Sequence, residues 1–118
     1  LSSSSAASDV YKRQAYKLHR VIELMNRQLA DDFCLAALAE AAQLSEYHFS
    51  RLFKRATGLT PSHYFIRLRM ARARQLLLET DLSVIAIGLE VGYSSASHFS
   101  QIFRREVGVT PSAYRNLQ

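Results

Sequence analysis

One passage of the chain is written twice, and no other feature limits the fold as much. From Ser45 to Tyr64 the sequence reads SEYHFSRLFKRATGLTPSHY, and from Ser94 to Tyr114 it reads SSASHFSQIFRREVGVTPSAY. His48, Phe49, Ser50, Phe53, Arg55, Gly58, Thr60, Pro61, Ser62 and Tyr64 recur fifty residues later as His98, Phe99, Ser100, Phe103, Arg105, Gly108, Thr110, Pro111, Ser112 and Tyr114. Upstream, Leu35, Leu38, Ala39, Leu44 and Ser45 match Val84, Ile87, Gly88, Tyr93 and Ser94 at a shift of forty-nine. The second copy therefore carries one extra residue in the turn before its main helix. A duplication this dense means one supersecondary unit built twice.

Each copy reads as a capped helix, a glycine stop and a second helix start. In the second copy, Ser94 or Ser95 can cap the first turn, because a serine hydroxyl accepts a backbone N–H that the helix start leaves unpaired. Phe99, Ile102 and Phe103 share one helical face, and Ser97, Ser100, Gln101 and Arg104 share the other. Gly108 stands where a helix end favours a left-handed residue. Thr110 then caps the next helix, with Pro111 at its first position, where a missing N–H costs nothing. The outer face carries no carboxylate before Glu106.

Charge narrows the partner. The 118 residues include 15 Lys and Arg against 10 Asp and Glu. Between Glu46 and Glu79 there is no acidic residue, but there are Arg51, Lys54, Arg55, Arg67, Arg69, Arg72 and Arg74. A basic block on helices suggests a polyanion partner, with a solvated surface as the competing reading. Cys34 is the only cysteine, which excludes an intrachain disulfide and points to the cytosol. It reads most simply as a small buried hydrophobe. No apolar run approaches the roughly 20 residues that span a bilayer, and no secretory signal is legible.

Taken in order, residues 1–14, LSSSSAASDVYKRQ, differ in composition from the rest, and disorder is expected there. Asp9–Gln14 also resembles the translation of a sequencing adapter. On that reading the segment is not native, the coding sequence starts near Ala15, and the chain is a fragment of a longer protein. Residues 15–60 form the first helix-turn-helix unit. It holds a helix with Leu18, Val21, Ile22, Met25 and Leu29 inward, a short helix from Leu35 to Ala42, and a basic helix from Glu46 to Ala56. Helix, short turn, basic helix is the arrangement in which the second helix enters a major groove. Residues 61–79 form a linker helix with Tyr64, Phe65, Leu68, Ala71, Leu76 and Leu77 buried. Residues 80–118 form the second unit. The expected class is all-α, with two helix-turn-helix subdomains joined by a long linker helix and about seven helices.

Two such units closed by GLTPSHY and GVTPSAY resemble the C-terminal DNA-binding domain of the AraC/XylS family of bacterial transcription regulators. The resemblance covers about Ala15 to Arg115 and is most specific from Ile87 to Tyr114. There the sequence carries an Ile-Ala pair, Gly-aromatic, Ser-x-x-x-Phe, Phe-Arg-Arg and Gly-x-Thr-Pro-x-x-Tyr-Arg. Arg69, Ala73, Leu76 and Leu77 look like the family's linker-helix signature. Gly88 departs from the pattern, standing where the family usually has alanine. That costs about 1 kcal/mol of helix stability unless the missing side chain relieves close packing. The resemblance implies double-stranded operator or promoter DNA and RNA polymerase as partners, and a homodimer formed through a separate N-terminal domain. It implies no enzyme activity, no cofactor and no membrane.

Outward positions assign the contacts. The first basic helix offers Tyr47, Ser50, Arg51 and Lys54, and the second offers Ser97, Ser100, Gln101 and Arg104. Arg51 suits a bidentate pair with guanine and Gln101 one with adenine, each contributing about 1–3 kcal/mol of discrimination. Ser50 and Ser100 accept either kind of base edge, Tyr47 and Ser97 also face the bases, and Ala96 suits a thymine methyl. Lys54, Arg55, Arg104 and Arg105 suit phosphates, as do the helix starts at Thr60, Ser62, Thr110 and Ser112. The competing readings are that Tyr47 packs beside the turn and that Arg51 pairs with Glu46 or Glu40. Arg69 is a candidate internal brace. His48 and His98, beside core phenylalanines, read as partly buried structural residues, and no His or Cys stands at zinc-ligand spacing. Two alternatives remain: a helical module that binds an acidic protein, and the DNA-targeting domain of a larger DNA-modifying enzyme. The first finds little support in two repeats, and the second finds no catalytic constellation here.

Overall fold

The structure is a computed structural model that describes residues 2–117, with side chains from residue 12 onward. Among the described residues there are seven helices and no strand: α1 Ser2–Arg27, α2 Leu35–Ala41, α3 Glu46–Thr57, α4 Pro61–Glu79, α5 Val84–Glu90, α6 Ala96–Val107 and α7 Pro111–Asn116. Two compact units emerge: Leu1–Arg27 with Cys34–Pro61, and Gln28–Phe33 with Ser62–Gln118. The expected linker helix is α4, and its residues from Ser62 onward group with the second unit.

In the first unit, α2 packs on both α1 and α3. Val21 and Met25 of α1, Leu38, Ala39 and Ala42 around α2, and Phe49 and Phe53 of α3 are buried. The two phenylalanine rings of α3 stand 5.6 Å apart, one turn from each other and tilted by 51°. Leu18, Ile22 and Leu29 are only partly covered. Where disorder was expected over residues 1–14, the described backbone is helical from Ser2, and Leu1 lies outside the described residues. Once Ala15–Arg27 is nucleated and packed, each added residue contributes one hydrogen bond, and Ala6 and Ala7 are strong helix formers.

The second unit has a core of its own. Met70, Ala73, Leu76 and Leu77 of α4 meet Ile87 and Val91 from α5, Tyr93 from the turn, and Phe99 and Phe103 of α6. Phe103 then meets Tyr114 of α7 edge-on at 5.7 Å. Ala71, expected inside, is exposed, whereas Met70 and Arg69 beside it are buried. Gly88 packs beneath Phe99: a Cβ there would stand 3.2 Å from the ring, so an alanine would require the ring to give by a few tenths of an ångström.

Arg69 is the one buried charged residue of the described part, at 8% exposure. It donates from Nε to the Leu29 carbonyl at 2.9 Å and from Nη2 to the Asp31 carbonyl at 2.6 Å. Its guanidinium lies 4.5 Å from the Phe65 ring centroid and 5.0 Å from that of Tyr93. A buried cation is tolerable only when its donors are used, and cation–π contacts lower the remaining cost. Arg115 repeats the device on a smaller scale, donating to the carbonyls of Leu77 and Thr80.

Candidate nucleic-acid interface

The same capping chemistry sets both basic helices. Ser45 accepts the amide of His48 at 3.2 Å, and Ser95 accepts that of His98 at the same distance. Of the two serines considered for the second copy, Ser95 is therefore the cap. Gly58 and Gly108 end α3 and α6 with φ of 81° and 100°, where a side chain would be strained. Thr110 closes the start of α7 by accepting the Ala113 amide at 3.2 Å.

With Phe49, Phe53, Phe99 and Phe103 buried, the opposite faces are fixed outward. Tyr47, Arg51, Lys54 and Arg55 on α3 are exposed, and Ser50 is half-covered. On α6, Ser97, Gln101, Arg104 and Arg105 are exposed, while Ala96 and Ser100 are half-covered. Thr60, Ser62, Thr110 and Ser112 are exposed as well. Each of the two helices thus carries base-facing and phosphate-facing candidates on its outward side, and the other phosphate candidates flank the starts of α4 and α7. At the second start the Thr110 hydroxyl is already committed to its own helix, and α7 is only 6 residues long.

Details differ from the sequence expectations. Arg51 pairs with neither Glu46 nor Glu40; its Nη1 donates to the Tyr47 hydroxyl at 2.6 Å, and its guanidinium lies 5.4 Å from the Tyr47 ring centroid. Tyr47 is 63% exposed, so it does not pack beside the turn. Both His48 and His98 are exposed, not partly buried. Each sits one position before a core phenylalanine, and a single helical step of about 100° swings it out of the core. His48 Nδ1 lies 2.9 Å from the Ser45 hydroxyl, and the His98 ring meets Tyr93 edge-on. Cys34 is exposed too, standing extended ahead of α2.

Glu106 escaped notice as part of the site. Its side chain is 11% exposed and accepts from His63 Nε2 at 3.1 Å and from Arg105 Nη2 at 3.2 Å. Burial pushes its carboxyl up, but hydrogen bonds from His63 and Arg105, with the attraction of both, outweigh that and hold it below the usual 4.5. The spacing of Arg105 and Glu106 was visible, but His63 is distant in sequence. No described group of His, Cys, Asp and Glu is arranged to hold a metal ion, and no described helix is long and apolar enough to cross a membrane.

A helix-turn-helix unit made twice, each with a capped helix facing polar and basic side chains outward, defines a nucleic-acid-binding class of fold. The family model for a helix-turn-helix domain matches residues 38–117. A solved transcriptional regulator from Chromobacterium violaceum, described as containing an AraC-type DNA-binding domain, superposes with a TM-score of 0.81 at 36% identity, over 86% of this chain and 91% of that one. The DNA-binding domain of AdpA, a global transcriptional factor solved in complex with a target DNA, gives a TM-score of 0.79 at 32% identity, over 85% and 90%. The HTH-type transcriptional regulator ArgR of Pseudomonas aeruginosa is 38% identical over 79 residues, which is 67% of this chain and 24% of that protein. The chain belongs to the AraC-type helix-turn-helix family of transcription regulators. It spans about a quarter of the length of the curated relatives it matches.

Proposed function

We propose that the chain is the DNA-reading part of a sequence-specific transcription regulator, with α3 and α6 entering adjacent major-groove segments of one site. The observation that carries this reading is the repeated outward face. Both helices present exposed polar and cationic residues on the side opposite their buried phenylalanines. Arg51 and Gln101 supply the bidentate donors and acceptors that distinguish guanine and adenine. Lys54, Arg55 and Arg104 supply charge for phosphates, which sets affinity and register without sequence information. Arg105 contributes less in this reading, because Glu106 holds its guanidinium. Ser50, Ser97, Ser100 and Ala96 tune the fit, and Thr60, Ser62, Thr110 and Ser112 lie at the helix starts.

The reading extends to RNA polymerase contact, to pairing of two chains through a further domain, and to a role without catalysis in these residues. Support for these comes from family membership and from the greater length of the relatives.

Selection of randomised duplexes on the full chain tests the core of it. The expected product is a bipartite motif whose halves lie about one helical turn, roughly 10 base pairs, apart. Arg51→Ala relaxes preference at one position, whereas Lys54→Ala weakens all sequences alike and lowers the salt slope by about one. A single undivided motif, or equal loss on every duplex with Arg51→Ala, contradicts the assignment.

A further inference from the structure

The pair Tyr47 and Arg51 is more than two adjacent contacts. They stand one helical turn apart on the outer face of α3, and the phenol and the guanidinium meet twice. Arg51 Nη1 donates to the Tyr47 hydroxyl at 2.6 Å, and the guanidinium carbon lies 5.4 Å from the ring centroid. A free arginine samples many rotamers, and fixing it on a base edge costs entropy. Here one hydrogen bond and one cation–π contact hold the head in place before any ligand arrives. The Nη1 atom serves the tyrosine, and the edge formed by Nε and Nη2 has no protein partner among the described interactions. That edge presents the two parallel donors that guanine O6 and N7 accept.

We infer that Tyr47 is a positioning residue for guanine readout, acting through Arg51 and not by its own contact with a base. The second unit has no such brace. Ser97 occupies the place of Tyr47 and Gln101 that of Arg51, and the serine side chain is too short to hold the amide. The first unit thus carries a preorganised reader and the second an adaptable one.

This inference rests on DNA reading by α3, and the test separates the two. The full chain is bound to its selected duplex and to the three variants that change the base pair whose preference Arg51→Ala erases. Tyr47→Phe keeps the ring and removes the acceptor; Tyr47→Leu removes both. The guanine preference falls roughly three- to tenfold with Tyr47→Phe, in proportion to the entropy of fixing one long side chain, and further with Tyr47→Leu. The salt slope stays the same, because no phosphate contact is lost. In an Arg51→Ala background Tyr47→Phe changes the base preference no further.

Tyr47 is 63% exposed, so neither substitution threatens the core. If Tyr47→Phe leaves the guanine preference unchanged while Arg51→Ala removes it, the positioning role is wrong and DNA reading stands. A loss that is equal for all four base pairs, or that persists without Arg51, makes Tyr47 a direct or structural contact and overturns the inference. Failure of Arg51→Ala to alter any preference removes the reading beneath it.

Discussion

The turn between α2 and α3 and the turn between α5 and α6 are drawn with the same two backbone hydrogen bonds. In the first, Gln43 N–H donates to the Glu40 carbonyl and Leu44 N–H to that of Ala39, at 2.9 and 3.0 Å. In the second, Gly92 donates to Leu89 and Tyr93 to Gly88, at 3.1 and 2.8 Å. Both require a left-handed residue, yet one copy uses glutamine at φ 59° and the other glycine at φ 95°. The difference lies in what covers the turn. A Cβ on Gly92 would stand 2.5 Å from Arg69 Nη2 and 2.6 Å from the Leu29 carbonyl oxygen. Gln43 is exposed, in an open cleft lined by Tyr16, Lys17 and Arg20. Backbone geometry alone favours glycine without demanding it; the Leu29 carbonyl and the Arg69 guanidinium that crowd the turn make it obligatory.

The sharpest way to break this comparison is Gly92→Ala. Strain of the left-handed backbone, about 1–2 kcal/mol, adds to overpacking of about 1–3 kcal/mol. Urea unfolding is expected to show a loss near 3 kcal/mol, and a loss below about 1 kcal/mol would mean that Arg69 and the Leu29 carbonyl both move aside freely. Arg69→Met comes next. It leaves the Leu29 and Asp31 carbonyls without their donors and is expected to cost about 2 kcal/mol. Because it removes one of the two groups above Gly92 and leaves the Leu29 carbonyl in place, the two substitutions together are expected to cost less than their sum, by about 1 kcal/mol at most. Strict additivity would show that the turn and the arginine do not share the strain. Gln43→Gly is the converse and the smaller change. It relieves the left-handed cost in the first unit and is expected to raise stability by up to about 1 kcal/mol, reduced by the greater freedom of glycine in the unfolded chain. A net loss would mean that the glutamine side chain makes a stabilising contact over the cleft.

Local features were legible in the sequence because their causes are local. The duplication, the glycine stops and the serine and threonine caps each rest on residues within one turn of one another. The number of helices follows from them. What escaped depends on partners far along the chain or on small rotations. Arg69 was open to several readings until the carbonyls of Leu29 and Asp31, some forty residues earlier, appeared beside it. On α4 arginines alternate with apolar residues, so periodicity marks the face poorly, and Ala71 was placed inside while Met70 and Ala73 hold the core. Tyr47 and Arg51 were recognised as outward residues, but nothing in their spacing required that they bind each other. Helical spacing supplied the candidate contacts, and the packing of each unit supplied their exposure.

The smallest expected effect concerns the ends of α3 and α6. Arg55 is followed by Ala56, whereas Arg105 is followed by Glu106, whose carboxylate accepts from both Arg105 and His63. Since the folded carboxyl lies below its ordinary value of 4.5, its contribution to stability is fully present above that value and is lost as the pH falls through the lowered one. Glu106→Gln is therefore expected to lower the melting temperature slightly at neutral pH, with the gap to the parent closing as the pH drops below 4.5. The exposed Arg105 partner keeps the effect small. The same change releases Arg105 and removes a negative charge beside the outward face of α6, so affinity for unrelated duplexes is expected to rise and to depend more steeply on salt. An unchanged salt slope would show that Arg105 faces away from the duplex, and the electrostatic contrast between the two reading helices would then have to come from Arg51, Lys54 and Arg55 alone.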